Sequence, residues 1–359
     1  MDVRQVIPRD AIPSVDDPTF TETYDGDPED RVIVYEPSPA GGPTGEHADE
    51  RSDRPAEGST EGSAGDDEDG HGADPTRPRA YPLRYLNYHE IVNDRVDRPL
   101  AVTWCPLCGS AVVYDRRVGG RTLTFGVSGK LADDDLVMYD RETDSEWKQS
   151  LGECIAGPLK DAELEVLPAA VVTARRFHED YDGVVLEAPG GDSEAASDDD
   201  EPAPIDYDEQ PYREYETTPG FGLGAHRGTG GREWSRDDLD PKTVVLGIER
   251  DGDAVGVPLP VVQEASGALT VTVGGDEVVV FATEDGIHAF EPPETVEEFD
   301  PVRAGADDGV RFRADGTTWN GATGEAADGR RLERVPARRL FAFTWQDDHG
   351  PDAFVLAVE

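Results

Sequence analysis

The chain repeats itself, and that repetition narrows the folds open to it more than any other feature. Tyr81-Pro82-Leu83 returns as Val257-Pro258-Leu259, and residues 96–104 align without a gap on residues 273–281. Ser145-Glu146-Trp147 followed by Gly152-Glu153 matches Thr317-Thr318-Trp319 followed by Gly324-Glu325, with Gly157 and Gly329 continuing the register. Leu167-Pro168-Ala169 then matches Val335-Pro336-Ala337, and Val184-Val185-Leu186 matches Phe354-Val355-Leu356. Self-similarity over such a length means one structural unit built twice. The reading is a first copy over residues 1–188, an acidic linker and irregular segment over 189–240, and a degenerate second copy without cysteine over 241–359.

Within each copy, short apolar or alternating runs are broken by Gly, Pro and Asp, the pattern of strands and tight turns. Examples are residues 100–104, 112–115, 122–125 and 136–139. Helix signals are few: residues 83–92 and 174–180. The class is therefore mainly β (a β-rich α+β chain), a tandem duplication of a sandwich- or barrel-like unit with few short helices. In the second copy, Val244–Ile248 runs through an Asp251-Gly252 turn into the next strand. The same hairpin in the first copy would join Val32-Ile33-Val34-Tyr35 to a strand near Ala80, with an acidic insert of about residues 37–78 as its enlarged tip. A tip tolerates this because loop-closure entropy grows only logarithmically with length. That insert, and residues 189–209 with their Asp198-Asp199-Asp200-Glu201 run, are too polar to offset ordering entropy and read as disordered or highly solvated.

Charge excludes several function classes. Asp and Glu total 78 against 33 Lys and Arg, a formal net charge of −45, and only Lys130, Lys148, Lys160 and Lys242 are lysines. Dispersed carboxylates with arginine in place of lysine suit concentrated salt, where the screening length falls to roughly 3 Å. With no basic stripe, nucleic acid is not an expected partner. No stretch approaches the apolar length of a membrane span, and the first residues lack a signal-peptide core. Three cysteines, an odd number, argue against a disulfide framework and for a reducing cytoplasm.

Chemistry concentrates in Cys105-Pro106-Leu107-Cys108-Gly109. Two thiols two residues apart can face one metal across a tight turn, and Gly109 supplies the backbone freedom. Candidate further ligands are His89 and Met138, with Cys154 and His178 weaker. Thiolate plus imidazole suits Zn, and thiolate plus thioether suits Cu(I). The repeat acts as a control: Cys105, Cys108, His89, Met138 and Cys154 align with Ala282, Asp285, Ala265, Val310 and Ala326. The second copy drops every soft ligand yet keeps the Trp, Gly and Pro framework, so the fold does not require those ligands. Trp147, Asp140 and Gly157 belong to that framework, with Asp140, Thr143 and Ser145 capping a turn. Two other uses stay open: thiol-disulfide exchange, weakened by a strand rather than a helix after the cysteines, and a ligand- or protein-binding module without catalysis.

The stretches Thr103–Ser110, Phe125–Leu131, Met138–Trp147 and Gly157-Pro158-Leu159, with Leu86–Asp94 upstream, resemble the family called domain of unknown function 3179. The resemblance covers most of the chain and implies no activity. It implies that His89, Cys105, Cys108 and Met138 occupy motif positions; Cys154 stands where that family is expected to carry Ala, and the long acidic inserts depart from its pattern.

Overall fold

A computed structural model describes residues 1–38, 74–197, 201–284, 286–293, 296, 298–302 and 310–356. Most of the acidic insert and Asp198-Asp199-Asp200 therefore lie outside the described residues. The protein is mainly β, built from several sheets, and no helix among the described residues exceeds the eight residues of Ala342–His349.

After two short strands, Val3–Gln5 on the edge of the Phe125–Ala132 strand and Phe20–Thr21, come β1 (Arg31–Tyr35) and β2 (Arg79–Pro82), antiparallel with Tyr35 opposite Arg79, so the insert does bridge a hairpin. Pro82 hands the chain to α1 (Leu83–His89). This helix is shorter than the sequence suggested, because Glu90 takes φ 57° and ends it. Then come β3 (Ile91–Arg95), β4 (Pro99–Cys105) and β5 (Ser110–Asp115), a meander in which Cys105 faces Ser110 across the turn. β6 (Phe125–Ala132), β7 (Asp135–Asp140), β8 (Glu146–Lys148) and β9 (Glu153–Ala156) form a second antiparallel sheet. β10 (Ala169–Thr173) returns to pair with β1, α2 (Ala174–Asp180) follows where expected, and β11 (Val184–Leu186) lies parallel to β2.

The second half runs through the same order. β12 (Val244–Arg250) and β13 (Asp253–Pro258) form a hairpin, followed by α5 (Leu259–Glu264) after two short helices of the intervening segment, α3 (Arg213–Thr217) and α4 (Leu223–His226). β14 (Ala268–Val273), β15 (Asp276–Ala282) and β16 (Ile287–Phe290) repeat the meander. β17 (Arg311–Ala314) and β18 (Thr317–Asn320) follow, and Trp319 pairs with Ala326 as Trp147 pairs with Cys154. β19 (Arg338–Phe341) returns to β12, α6 (Ala342–His349) follows, and Phe354 bridges Gly256 in parallel.

The halves are joined edge to edge. β19 pairs with β12 on one side and meets β5 at Arg339–Ala111 on the other, giving one seven-stranded sheet. Alternation along β4 and β5 then separates two cores. Leu100, Val102, Trp104, Ala111 and Val113 face one; Ala101, Cys105, Val112 and Tyr114 face the other. The second core also takes in Met138, Trp147, Cys154, Phe341 and Phe343.

The described residues of 189–209, read as disordered or highly solvated, and of the irregular segment after them contain buried side chains. Ser193 is fully buried, and Tyr215, Phe221 and Ala225 enter the core that holds the cysteines. Tyr207 packs on Tyr85 and Tyr88, with ring centroids 4.7 and 5.5 Å away. A few aromatic anchors bury enough area to order a chain whose average composition is acidic.

Buried polar groups fix the strand register. The Arg79 guanidinium lies 2.6 Å and 2.7 Å from the two Asp94 carboxylate oxygens, and Tyr81 donates to the same group. Asn93 completes the edge of β6 by bonding both the N–H and the C=O of Phe125. Asp140 accepts from the Thr143 N–H and hydroxyl and from the Trp147 indole. Asp94→Ala should cost about 3–5 kcal/mol, because it leaves a buried guanidinium without its counter-charge. Urea unfolding measures this, and Arg79→Met/Asp94→Leu should lose clearly less than Asp94→Ala alone.

Candidate metal centre

The Cys105–Cys108 turn closes the β4–β5 hairpin, and the second half holds it in place. The Phe341 N–H donates to the Cys108 carbonyl at 2.8 Å, and the Arg339 guanidinium donates to the Gly109 carbonyl at 2.6 Å. From α3, the Tyr215 hydroxyl donates to the Leu107 carbonyl at 2.8 Å. Gly109 sits at φ 57°, and a Cβ there would come within 2.8 Å of the Phe341 ring. Both the turn and the docking of the second half therefore need glycine.

Behind the turn, one Sγ from each of Cys105 and Cys108 and one carboxylate oxygen of Asp135 lie within 4.8 Å of one another, all three residues buried. Asp135 opens β7, and the Ser150 N–H donates to its Oδ2 at 2.8 Å while Oδ1 has no hydrogen-bond partner. Two more orphaned oxygens belong to neighbours of this group. Ser110 pairs with Cys105, and Gln149 donates to the Thr103 hydroxyl and the Ser110 carbonyl. Ser110 Oγ and Gln149 Oε1 are buried without partners among the described residues, and the Thr344 hydroxyl stands against the Cys108 thiol. A buried polar atom left unsatisfied costs about 1–3 kcal/mol, so orphans on Asp135 and on residues beside the thiols mark a place for something polar or charged.

The electrostatics match that geometry. Lys148 and Asp348 form an ion pair with both side chains 2% exposed, and Ser150 donates to the other Asp348 oxygen at 2.7 Å. Burial pulls the Lys148 ammonium down, but Asp348 and Asp135 outweigh it and hold it above the ordinary lysine range. Burial pushes the Asp135 carboxyl up, with Lys148 pulling back, to about 6. Burial raises both thiols, Cys108 well above the ordinary range; the Cys108 S–H donates to the Asp134 carbonyl at 3.4 Å. All three cysteines are free.

The other candidates stand elsewhere. His89 is held by its two nitrogens, Nδ1 at 2.9 Å from the Pro13 carbonyl and Nε2 at 2.7 Å from the Tyr207 hydroxyl, so neither is open to a metal. It is those two groups, not the neighbouring Glu90, that orient the imidazole. Met138 is fully buried in β7 between Val127 and Trp147, three residues from Asp135 and so on the opposite face of that strand. Cys154 is buried and its S–H donates to the Ala156 carbonyl, and His178 is exposed. Gly157 sits at φ 99°, where a Cβ would meet the Ser145 backbone at 2.6 Å.

Sequence reasoning missed Asp135, Lys148, Thr344 and Asp348. The one signal for Lys148 was the scarcity of lysine in this chain. It also missed Glu90, buried with a carboxyl that burial, then Glu194 and Asp135, push up to about 8.

Residues 74–352 match the family model described as protein of unknown function (DUF3179), and the chain belongs to that family. No curated protein and no solved structure matches it.

Gly109→Ala should cost about 1–3 kcal/mol, from left-handed strain and the clash with Phe341. Denaturant unfolding tests this, and placing the change in a Phe341→Leu background, which makes room, should recover part of the loss.

Proposed function

We propose that this member of the family binds one soft or borderline metal ion through Cys105, Cys108 and Asp135, at a site completed by the second half of the chain. The observation that carries the reading is the buried thiol–thiol–carboxyl group, with one Asp135 oxygen and oxygens of adjoining residues left without partners. A metal ion with a bound water would satisfy those oxygens. Two thiolates with a hard carboxylate oxygen favour Zn(II) over Cu(I), which prefers sulfur throughout. Zn(II) with two thiolates and one carboxylate carries a single excess negative charge, which the nearby Lys148–Asp348 ion pair moderates through its ammonium.

The repeat supports the same reading: a duplicated unit that kept its strand order in both halves but its thiols in one has separated folding from binding. Thiol-disulfide exchange is less favoured, since both thiols are raised by burial and a strand, not a helix N-terminus, follows them. Free cysteines and an absence of basic surface support a reducing cytoplasmic setting without nucleic acid as partner. No helix is long and apolar enough to cross a membrane.

Elemental mass spectrometry of untagged protein should find roughly one equivalent of Zn, lost in Cys105→Ser/Cys108→Ser and weakened in Asp135→Asn. Protein that is metal-free and ignores added Zn(II) and Cu(I) would overturn the reading. A reversible Cys105–Cys108 disulfide in glutathione buffers would move it to redox chemistry.

The pH dependence has a definite sign. Both thiols are protonated at neutral pH, so metal entry expels their protons and affinity rises with pH, by roughly a hundredfold per unit where two protons leave. Below about pH 6 Asp135 is protonated as well and the dependence steepens. Competition titration against a chelator of known affinity between pH 5.5 and 8 measures this slope.

A further inference from the structure

A separate chamber of about 700 Å³ lies against Leu107 of the cysteine turn. Its walls mix apolar side chains, Ile12, Val127, Leu136 and Leu223 among them, with polar and charged ones, and Tyr212 lines one side. A concave volume of that size with apolar side chains and convergent polar groups is a common form of small-molecule site.

Glu90 gives the chamber its chemistry. Its side chain lines the cavity, the residue is only 8% exposed, and no hydrogen bond to its carboxyl exists among the described residues. Its backbone is strained as well. Glu90 ends α1 at φ 57° and ψ −32°, with its N–H bonded to the Leu86 carbonyl and its own carbonyl accepting from the Trp104 N–H. Glycine or asparagine makes that turn at little cost, so the glutamate carries both left-handed strain and a buried acid. Strain of this kind, held in place by its surroundings, marks sites where a side chain is needed for more than folding.

The surrounding charges favour one sign of ligand. Glu194 shares the cavity wall and is the nearest charge acting on Glu90. The cations nearby are otherwise occupied or remote from the floor. Lys130 is paired with Glu146 at 2.5 Å, and Arg227 is exposed at the rim. His226 stacks on Tyr212 with centroids 4.7 Å apart, and burial, then Arg227, hold its imidazole neutral. The whole chain adds a field of net charge −45.

We propose that this chamber binds an organic cation with an apolar body, in its simplest form an alkyl ammonium, whose nitrogen sits against Glu90 with Glu194 beside it. The ammonium supplies the counter-charge that the buried carboxyl lacks, and the apolar walls take the chain. The site is distinct from the proposed metal centre, since none of the three proposed metal ligands lines the cavity, although the Asp135 and Glu90 charges act on one another.

Isothermal titration with hexylammonium, hexanol and hexanoate, at one pH near 8.5 and fixed KCl concentration, tests the sign of the charge. In the wild-type protein hexylammonium should bind roughly tenfold or more tighter than hexanol, with hexanoate weakest. Glu90→Gln should erase the margin between amine and alcohol. Leu223→Trp, which fills the chamber from its outer wall, should abolish binding of all three. Binding of hexanoate or hexanol as tightly as hexylammonium would overturn the proposal. So would a margin unchanged in folded Glu90→Gln, or no binding at all. Should Glu90→Gln fail to fold, the wild-type series and Leu223→Trp still decide the matter. Metal content measured on the same samples separates this outcome from that of the metal centre.

Discussion

The Phe341 N–H to Cys108 C=O bond, with the pairing of β19 and β5 beside it, is the contact on which the rest of the molecule turns. It extends the first half's sheet into the second, and it presses the Phe341 ring against the one position in the cysteine turn that has no side chain. Everything that makes the turn chemically distinctive follows from that docking. α6 begins immediately after β19, so fixing the strand also fixes Thr344 and Asp348 against Cys108 and Lys148. Neither half alone contains this set of groups.

The charges around the turn explain why it is built from both halves. A lysine buried beside two raised thiols and a raised carboxyl would be costly with no counter-ion, and Asp348 provides one from the far side of the junction. The carboxylate load that dominates the surface therefore enters the interior in a controlled way. Asp94, Asp140 and Asp348 each meet specific donors, and Asp135 is the exception with one oxygen unmet. The satisfied carboxylates fix the fold, and the unmet Asp135 oxygen marks the candidate centre.

Much of the fold was legible because strands and turns leave local marks. The Asp251-Gly252 hairpin, the apolar strand run 100–104 and the helix near 174–180 were read from alternation, turn residues and apolar content. Pairings such as Trp147 opposite Cys154 and Trp319 opposite Ala326 were not legible in any local pattern, although the aligned positions match between the two halves. The site was legible only in its cysteines. Asp135, Thr344 and Asp348 look like any other residues of an acidic chain, and their meaning comes from a junction between distant segments. His89 misled for a related reason. Its partners, Pro13 and Tyr207, come from opposite ends of the first half and its linker, and sequence spacing does not announce either. Tyr207 also shows why composition misjudged that linker: a few buried rings outweigh many solvated carboxylates.

The position of Asp348 gives the junction a meaning in time. During synthesis Lys148 leaves the ribosome 200 residues before the carboxylate that neutralises it, and the two thiols leave earlier still. Over that interval the cysteine turn is made but not yet covered by Phe341 and α6. The helix Ala342–His349 thus acts as a closing step in the life of the nascent chain, sealing a turn that until then stands open to solvent.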